Sequence, residues 1–109
     1  MSYEVKLTKS AIGQLNEAIW YISKVLIEPE TAKSWSDRIK KDISSLNQLP
    51  HRYPLVAEEP WRTEGIRKMT VENFIIYYWV NDDDFTVWIT AAVYGRRDQL
   101  NVLRNITKE

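Results

Sequence analysis

Residues 65–98 read G-I-R-K-M-T-V-E-N-F-I-I-Y-Y-W-V-N-D-D-D-F-T-V-W-I-T-A-A-V-Y-G-R-R-D, and this stretch decides the fold. Two long runs of β-branched and aromatic residues flank Asn81-Asp82-Asp83-Asp84, and a shorter run precedes them. Such residues favour the pleated surface of a sheet, while Asn and Asp tolerate the backbone angles of a tight turn. The stretch therefore predicts a meander of strands. Ile66–Val71 forms the first, Glu72-Asn73 turns it, and Phe74–Val80, apolar on both sides, is an inner strand with cover on each face. Phe85–Tyr94 is expected to put Phe85, Val87, Ile89, Ala91 and Val93 on one face. Thr86, Trp88, Thr90, Ala92 and Tyr94 would then line the other, a mixed amphipathic cleft.

Upstream, Tyr3–Thr8 alternates as a short half-buried strand. Thr8 or Ser10 can cap a helix whose apolar stripe is Ile12, Leu15, Ile19, Ile22 and Leu26. Glu28-Pro29-Glu30 breaks it and suits the start of a second helix, with the stripe Ala32, Trp35, Ile39, Ile43, Leu46 and Leu49. So short a connection makes the two an antiparallel helical hairpin. Pro50-His51-Arg52-Tyr53-Pro54 ends the second helix, and the segment to Arg62 reads as a loop. Downstream, Gly95 permits a change of direction, and Asp98 can cap a short last helix carrying Leu100, Val102, Leu103 and Ile106. The expectation is a single α+β domain over 1–109, in the order β-α-α-β-β-β-α. An N-terminal helical hairpin packs on a small antiparallel sheet, and a short C-terminal helix follows.

Composition narrows the chemistry. The chain has no cysteine and a single histidine, which disfavours thiol catalysis, disulfides, zinc sites and His-centred triads. No cofactor or metal is expected. Nothing resembles a membrane span or a signal-peptide core, so the sequence reads as a cytoplasmic protein with no membrane partner. Lys+Arg and Asp+Glu are 15 each, so nucleic acid would be held only by a local patch. Arginine is segregated: Arg38 alone precedes residue 51, whereas Arg52, Arg62, Arg67, Arg96, Arg97 and Arg104 follow it. Arginine is the better fork for phosphate and carboxylate, which puts recognition in the second half.

With these elements in order, the chain resembles the RelE/ParE superfamily of bacterial toxins. The likeness rests on Ala32 early in the second helix and on L-x-x-L-P-x-R-x-P from Leu46 to Pro54. G-I-R-K at 65–68, F-I-I-Y-Y-W-V at 74–80 and V-Y-G-R-R-D at 93–98 complete it. The resemblance implies the toxin component of a type II toxin–antitoxin, or plasmid-stabilisation, module, neutralised by a cognate antitoxin. The long hairpin favours the ParE-like branch, whose target is DNA gyrase. The alternative is a RelE-like, ribosome-dependent mRNA endoribonuclease. A second alternative is an inactive member that only binds antitoxin.

The candidate residues follow from that choice. A nuclease would use Arg67, Lys68, Tyr94 and Arg96 or Arg97 for phosphate contact and proton transfer. RelE-like nucleases carry an arginine early in the strand matching Phe74–Val80, and here that place holds Ile75 or Ile76. Antitoxin or target binding would fall to Trp88, Arg52 and Arg62. The plainer reading of the cations is a solvated, ion-paired surface. For Trp61 and Trp79 it is packing, for His51 a turn residue, and for Asp82-Asp83-Asp84 a solvated hairpin turn.

Overall fold

Thr8 opens the helical layer as expected: its extended backbone and its Oγ1, which accepts from the Ala11 amide at 3.2 Å, cap the first helix. The structure, a computed structural model, describes residues 2–25, 29–71 and 73–94. In chain order these are strand β1 (Glu4–Leu7), helix α1 (Lys9–Trp20) and helix α2 (Pro29–Ser44). Strands β2 (Arg67–Val71), β3 (Phe74–Asn81) and β4 (Thr86–Tyr94) complete the set. A π-helical turn, Tyr21–Val25, extends α1, and short 3₁₀ turns at Ser45–Asn47 and Pro50–Arg52 follow α2. Pro29 starts α2, where a missing amide costs nothing. The expected C-terminal helix, with Gly95, Arg96, Arg97 and Asp98, lies outside the described residues, as does Glu72.

The sheet order is β1-β4-β3-β2. The meander β2–β3–β4 is antiparallel, and β1 joins the outer edge of β4 in parallel, Glu4 opposite Thr86 and Leu7 opposite Ile89. The sheet is therefore mixed, because the helical hairpin carries the chain from β1 across to the far edge strand. One face packs on α1 and α2 through Met69, Val71, Phe74, Ile76, Tyr78, Val87 and Ile89 against Ala11, Ile39, Ile43 and Leu46.

Three sequence expectations about which side chain faces inward do not hold. The inward stripe of α1 runs through Ala11, Leu15 and Ala18 and continues to buried Ile22 in the π-helical turn, and Ile12 is 46% exposed. Small alanines let the helix approach β4 closely enough for Gln14 Oε1 to accept from the Ala92 amide at 2.8 Å. Leu49 ends outside the core, 76% exposed, because the chain turns left-handed there (φ 47°) before Pro50. In β4 a single alternation fails. Tyr77 pairs with Ala91 and Tyr78 with Ile89, so Thr90 is an extra residue. A bulge of this kind reverses the facing of everything beyond it. Val87 and Ile89 thus share the helical face with Ala92 and Tyr94, whereas Ala91 and Val93 pack on the opposite side. Thr90 is anchored at the bulge: its Oγ1 donates to the Tyr77 carbonyl at 3.2 Å, and its carbonyl accepts from Thr8 Oγ1 at 3.3 Å.

The second sheet face is partly closed by the segment expected to be a loop. The Val56 amide bonds the Ile66 carbonyl and the Lys68 amide bonds Pro54, at 2.9 and 3.1 Å. This folds Val56, Trp61 and Ile66 over Tyr77, Ala91 and Val93. Gly65, at φ 89°, supplies the left-handed residue that ends the segment. The doubly covered inner strand expected at Phe74–Val80 is observed: Phe74, Ile76, Tyr77 and Tyr78 are at most 1% exposed.

Candidate functional site

The arginines come first, because the sequence concentrates them after residue 51. Arg67 projects from the start of β2 and donates to two carbonyls of the turn after α2, Tyr53 at 2.7 Å and His51 at 3.2 Å. Arg52 bends back over the end of α2, reaching Ser45 Oγ at 2.8 Å and the Leu49 carbonyl at 3.2 Å, and stacks on the Tyr53 ring at 4.9 Å. Carbonyls at a helix C-terminus lack intrahelical donors, so this cation satisfies them. Arg62 donates to the Val56 carbonyl at 3.2 Å inside the covering segment. Each of the three is thus engaged by the chain's own backbone.

The other members of the expected set lie apart. Lys68 follows Arg67 in β2, opposite Tyr77, and strand alternation sends it to the other sheet face. Tyr94 is opposite Phe74, while Arg67 is opposite Tyr78. The strand rise puts them about 13 Å apart along the sheet, with two strand spacings, about 10 Å, across it. Tyr94 packs instead in an aromatic cluster, 5.2 Å from the Phe74 ring, 5.6 Å from Trp35 and 6.5 Å from Tyr21. Arg67, Lys68 and Tyr94 are not brought together, and Arg96 and Arg97 lie outside the described residues.

What does converge is aromatic. Beside Tyr94 a groove of about 180 Å³ runs between α1 and the end of β4, lined by Gln14, Glu17, Trp20, Tyr21 and Val93 among others. Trp20 and Tyr21 are 58% and 42% exposed, a large apolar surface left open to solvent. On the second sheet face, half-buried Trp88 lies opposite Trp79, and Lys6 from β1 sits 5.6 Å from the Trp88 ring centre. Trp20 and Tyr21 lie outside the apolar stripe expected for the first helix. Their signal was faint, two bulky rings adjacent in sequence on a helix too narrow to bury both.

A polar cluster joins residues far apart in the sequence. Tyr3 Oη donates to Asp82 at 2.8 Å, and His51 Nε2 lies 3.1 Å from the same carboxylate. The tyrosine bond, with a smaller share from His51, holds Asp82 below the usual carboxylate range and raises Tyr3. His51 is thus a turn residue, as expected, with its ring tied to the hairpin. Asp82 is the member of the acidic run that gains partners. Further in, burial pushes Tyr78 up to about 12, and its hydroxyl donates to the Pro50 carbonyl at 2.7 Å. Among the described residues no group of histidine and acidic side chains is placed to hold a metal ion, and no helix is long and apolar enough to cross a membrane.

Comparison with known proteins agrees with this architecture. The family model for the ParE toxin of the type II toxin-antitoxin system parDE matches residues 5–99. No curated protein matches the chain by sequence. Among solved structures, the chromosomal ParDE toxin–antitoxin system of P. aeruginosa superposes with a TM-score of 0.68 at 24% identity, covering 87% of this chain and 98% of that one. The RelBE2 toxin–antitoxin complex of Mycobacterium tuberculosis gives 0.62 at 16% identity, covering 89% and 95%. A mutant of the E. coli toxin RelE in the free state gives 0.64 at 13%, covering 96% and 99%. At these identities the structural likeness speaks for the fold.

Proposed function

The chain belongs to the ParE toxin family of type II toxin–antitoxin systems, and from that premise we propose that it arrests growth by binding DNA gyrase and is neutralised by a cognate antitoxin. The observation that carries the choice of a binding mechanism over RNA cleavage is the separation of Arg67, Lys68 and Tyr94. General acid–base chemistry needs its groups within hydrogen-bond reach of one phosphodiester. These occupy opposite faces and distant ends of the sheet. The isoleucines at 75 and 76, where a nuclease would carry an arginine, support the same reading.

The antitoxin enters as an amphipathic helix laid in the groove beside Trp20, Tyr21 and Tyr94, with an extended segment over Trp88. Both are recurrent modes of peptide capture. Large rings on an otherwise polar surface are the usual anchors of such an interface. Arg52 and Arg62 act at one remove, by holding the turn after α2 and the covering segment in place. The protein acts in the cytoplasm and uses no cofactor.

The test pairs two measurements on cells expressing the chain without antitoxin. Gyrase-linked DNA breaks with intact transcripts are expected. Codon-positioned cuts in messenger RNA that disappear on Arg67→Ala, Lys68→Ala or Tyr94→Phe would reverse the assignment in favour of a ribosome-dependent nuclease. Stable antitoxin complex with no growth defect would indicate an inactive, antitoxin-binding member.

A further inference from the structure

Among the described residues that line the groove beside Tyr94, Glu17 alone carries a charge. It is exposed, and its carboxylate has no ion pair or hydrogen bond with another described residue. Lys9 and Lys24, the lysines of α1 and its π-helical turn, stand about 10 Å or more away along the axis, beyond the reach of an ion pair. The acid is therefore left over by the fold.

Helical spacing gathers the rest of the lining around that carboxylate. Gln14, Trp20 and Tyr21 stand one turn before and one turn after Glu17, so all four share one side of the helix. Trp20 and Tyr21 offer ring surface to solvent, 58% and 42% exposed. Gln14 is pinned to β4 through its Oε1, which accepts from the Ala92 amide at 2.8 Å. Half-buried Ala18 with buried Ala92 and Val93 supplies an apolar lining of small side chains. At about 180 Å³ the groove is smaller than the roughly 300–1,000 Å³ of small-molecule sites, and it suits one long side chain.

We propose that this groove reads an arginine of the antitoxin, whose guanidinium stacks on the Trp20 ring and bonds the Glu17 carboxylate while its methylenes cover Ala18 and Val93. The inference rests on the reading that the antitoxin fills this groove, and it names the side chain selected there. An apolar anchor laid over Glu17 would strip water from an unpaired carboxylate, which opposes binding. Lysine would restore the charge alone, as a compact and strongly hydrated ammonium. A guanidinium is planar, weakly hydrated and forked, so it stacks on an aromatic face while bonding a carboxylate. Phosphate would meet like charge at Glu17. Arginine is also among the side chains that dominate the binding energy of interfaces.

The experiment titrates the full ¹⁵N-labelled chain with blocked alanine pentapeptides whose central residue is arginine, lysine, citrulline or leucine. The arginine peptide is expected to give saturable shifts at the Trp20 indole, the Gln14 side-chain amide and Tyr21, weakening with salt. Citrulline, its neutral isostere, should bind about tenfold more weakly, and so should arginine to Glu17→Gln, which loses one charge-assisted bond at an exposed position. Lysine should fall between arginine and citrulline. Equal affinity for leucine or citrulline, or unchanged affinity in Glu17→Gln, would overturn the arginine assignment and leave the groove as the antitoxin's site. Arginine shifts that miss the groove would overturn it as well. So would a Trp20 indole shift on Arg96→Gln with Arg97→Gln in the free chain, which would give the groove to the chain's own arginine. The antitoxin reading fails separately, if Trp20→Ser with Tyr21→Ser leaves antitoxin binding intact.

Discussion

Replacing Tyr78 by phenylalanine tests how the turn after α2 is fastened to the sheet. Tyr78 is fully buried, and its hydroxyl reaches the carbonyl of buried Pro50 at 2.7 Å. Phenylalanine keeps the ring in the core, so the loss is the hydrogen bond together with a carbonyl left without its donor. Such a loss costs about 1–2 kcal/mol, against a total stability of about 5–15 kcal/mol for a domain of this size. Urea denaturation at pH 7 should show that decrease with an unchanged slope, and melting should fall by roughly 4–8 °C per kcal/mol. A second signature appears at high pH. Burial raises Tyr78, and likewise Tyr77, to about 12 from 10.0. The folded state therefore keeps protons that the unfolded chain releases. That stability is fully present below pH 10 and is lost as pH rises toward 12. For a shift of two units the loss is about 2–3 kcal/mol per tyrosine. Tyr78→Phe should remove about half of the decline between pH 10 and 12. A cost below about 0.3 kcal/mol at pH 7, or an undiminished alkaline decline, would refute the reasoning by showing that the hydroxyl is neither needed nor shielded.

Four further outcomes are expected. Asp82→Asn should flatten the acid limb: the folded carboxyl lies below its ordinary value. Its stabilisation is therefore present above the unfolded value and is lost as pH falls through the folded one, as acid titration followed by circular dichroism would report. Arg52→Ala should destabilise by about 1–2 kcal/mol in urea, and Arg52→Lys should recover little, because a point charge cannot copy the guanidinium fork. Gly13→Ala should stabilise by about 0.5–1 kcal/mol, since an added Cβ meets nothing within 4 Å in that helix. Trp20→Ser with Tyr21→Ser should leave the melting temperature nearly unchanged while weakening antitoxin binding by about 2 kcal/mol or more in calorimetry.

Much of the α+β order was legible because strand and helix periods are local. The alternation at Tyr3–Thr8, the unbroken apolar run at 74–80, the Asn-Asp turn and the Thr8 cap each need only a few neighbouring residues. The candidate site was less legible. Arg52, Arg62 and Arg67 were visible as a concentration of arginine, but their hydrogen bonds to main-chain carbonyls depend on where the turns return. Lys68 and Tyr94 belong to the same expected nuclease set. The register separates them by strand face and by sheet length.

The sequence alone determined the type and succession of elements, and with them the family resemblance, since hydrophobic period and turn chemistry are written in contiguous residues. Only the tertiary structure decided which side of each element faces the core. One extra residue at Thr90 reverses the facing of β4 beyond it, and close approach at Ala11 and Ala18 turns Ile12 outward. The Tyr3–Asp82 bond spans 79 residues of chain and His51–Asp82 spans 31. Side-chain direction accumulates along a strand and long-range pairing depends on its register, so neither is set by the residues beside it.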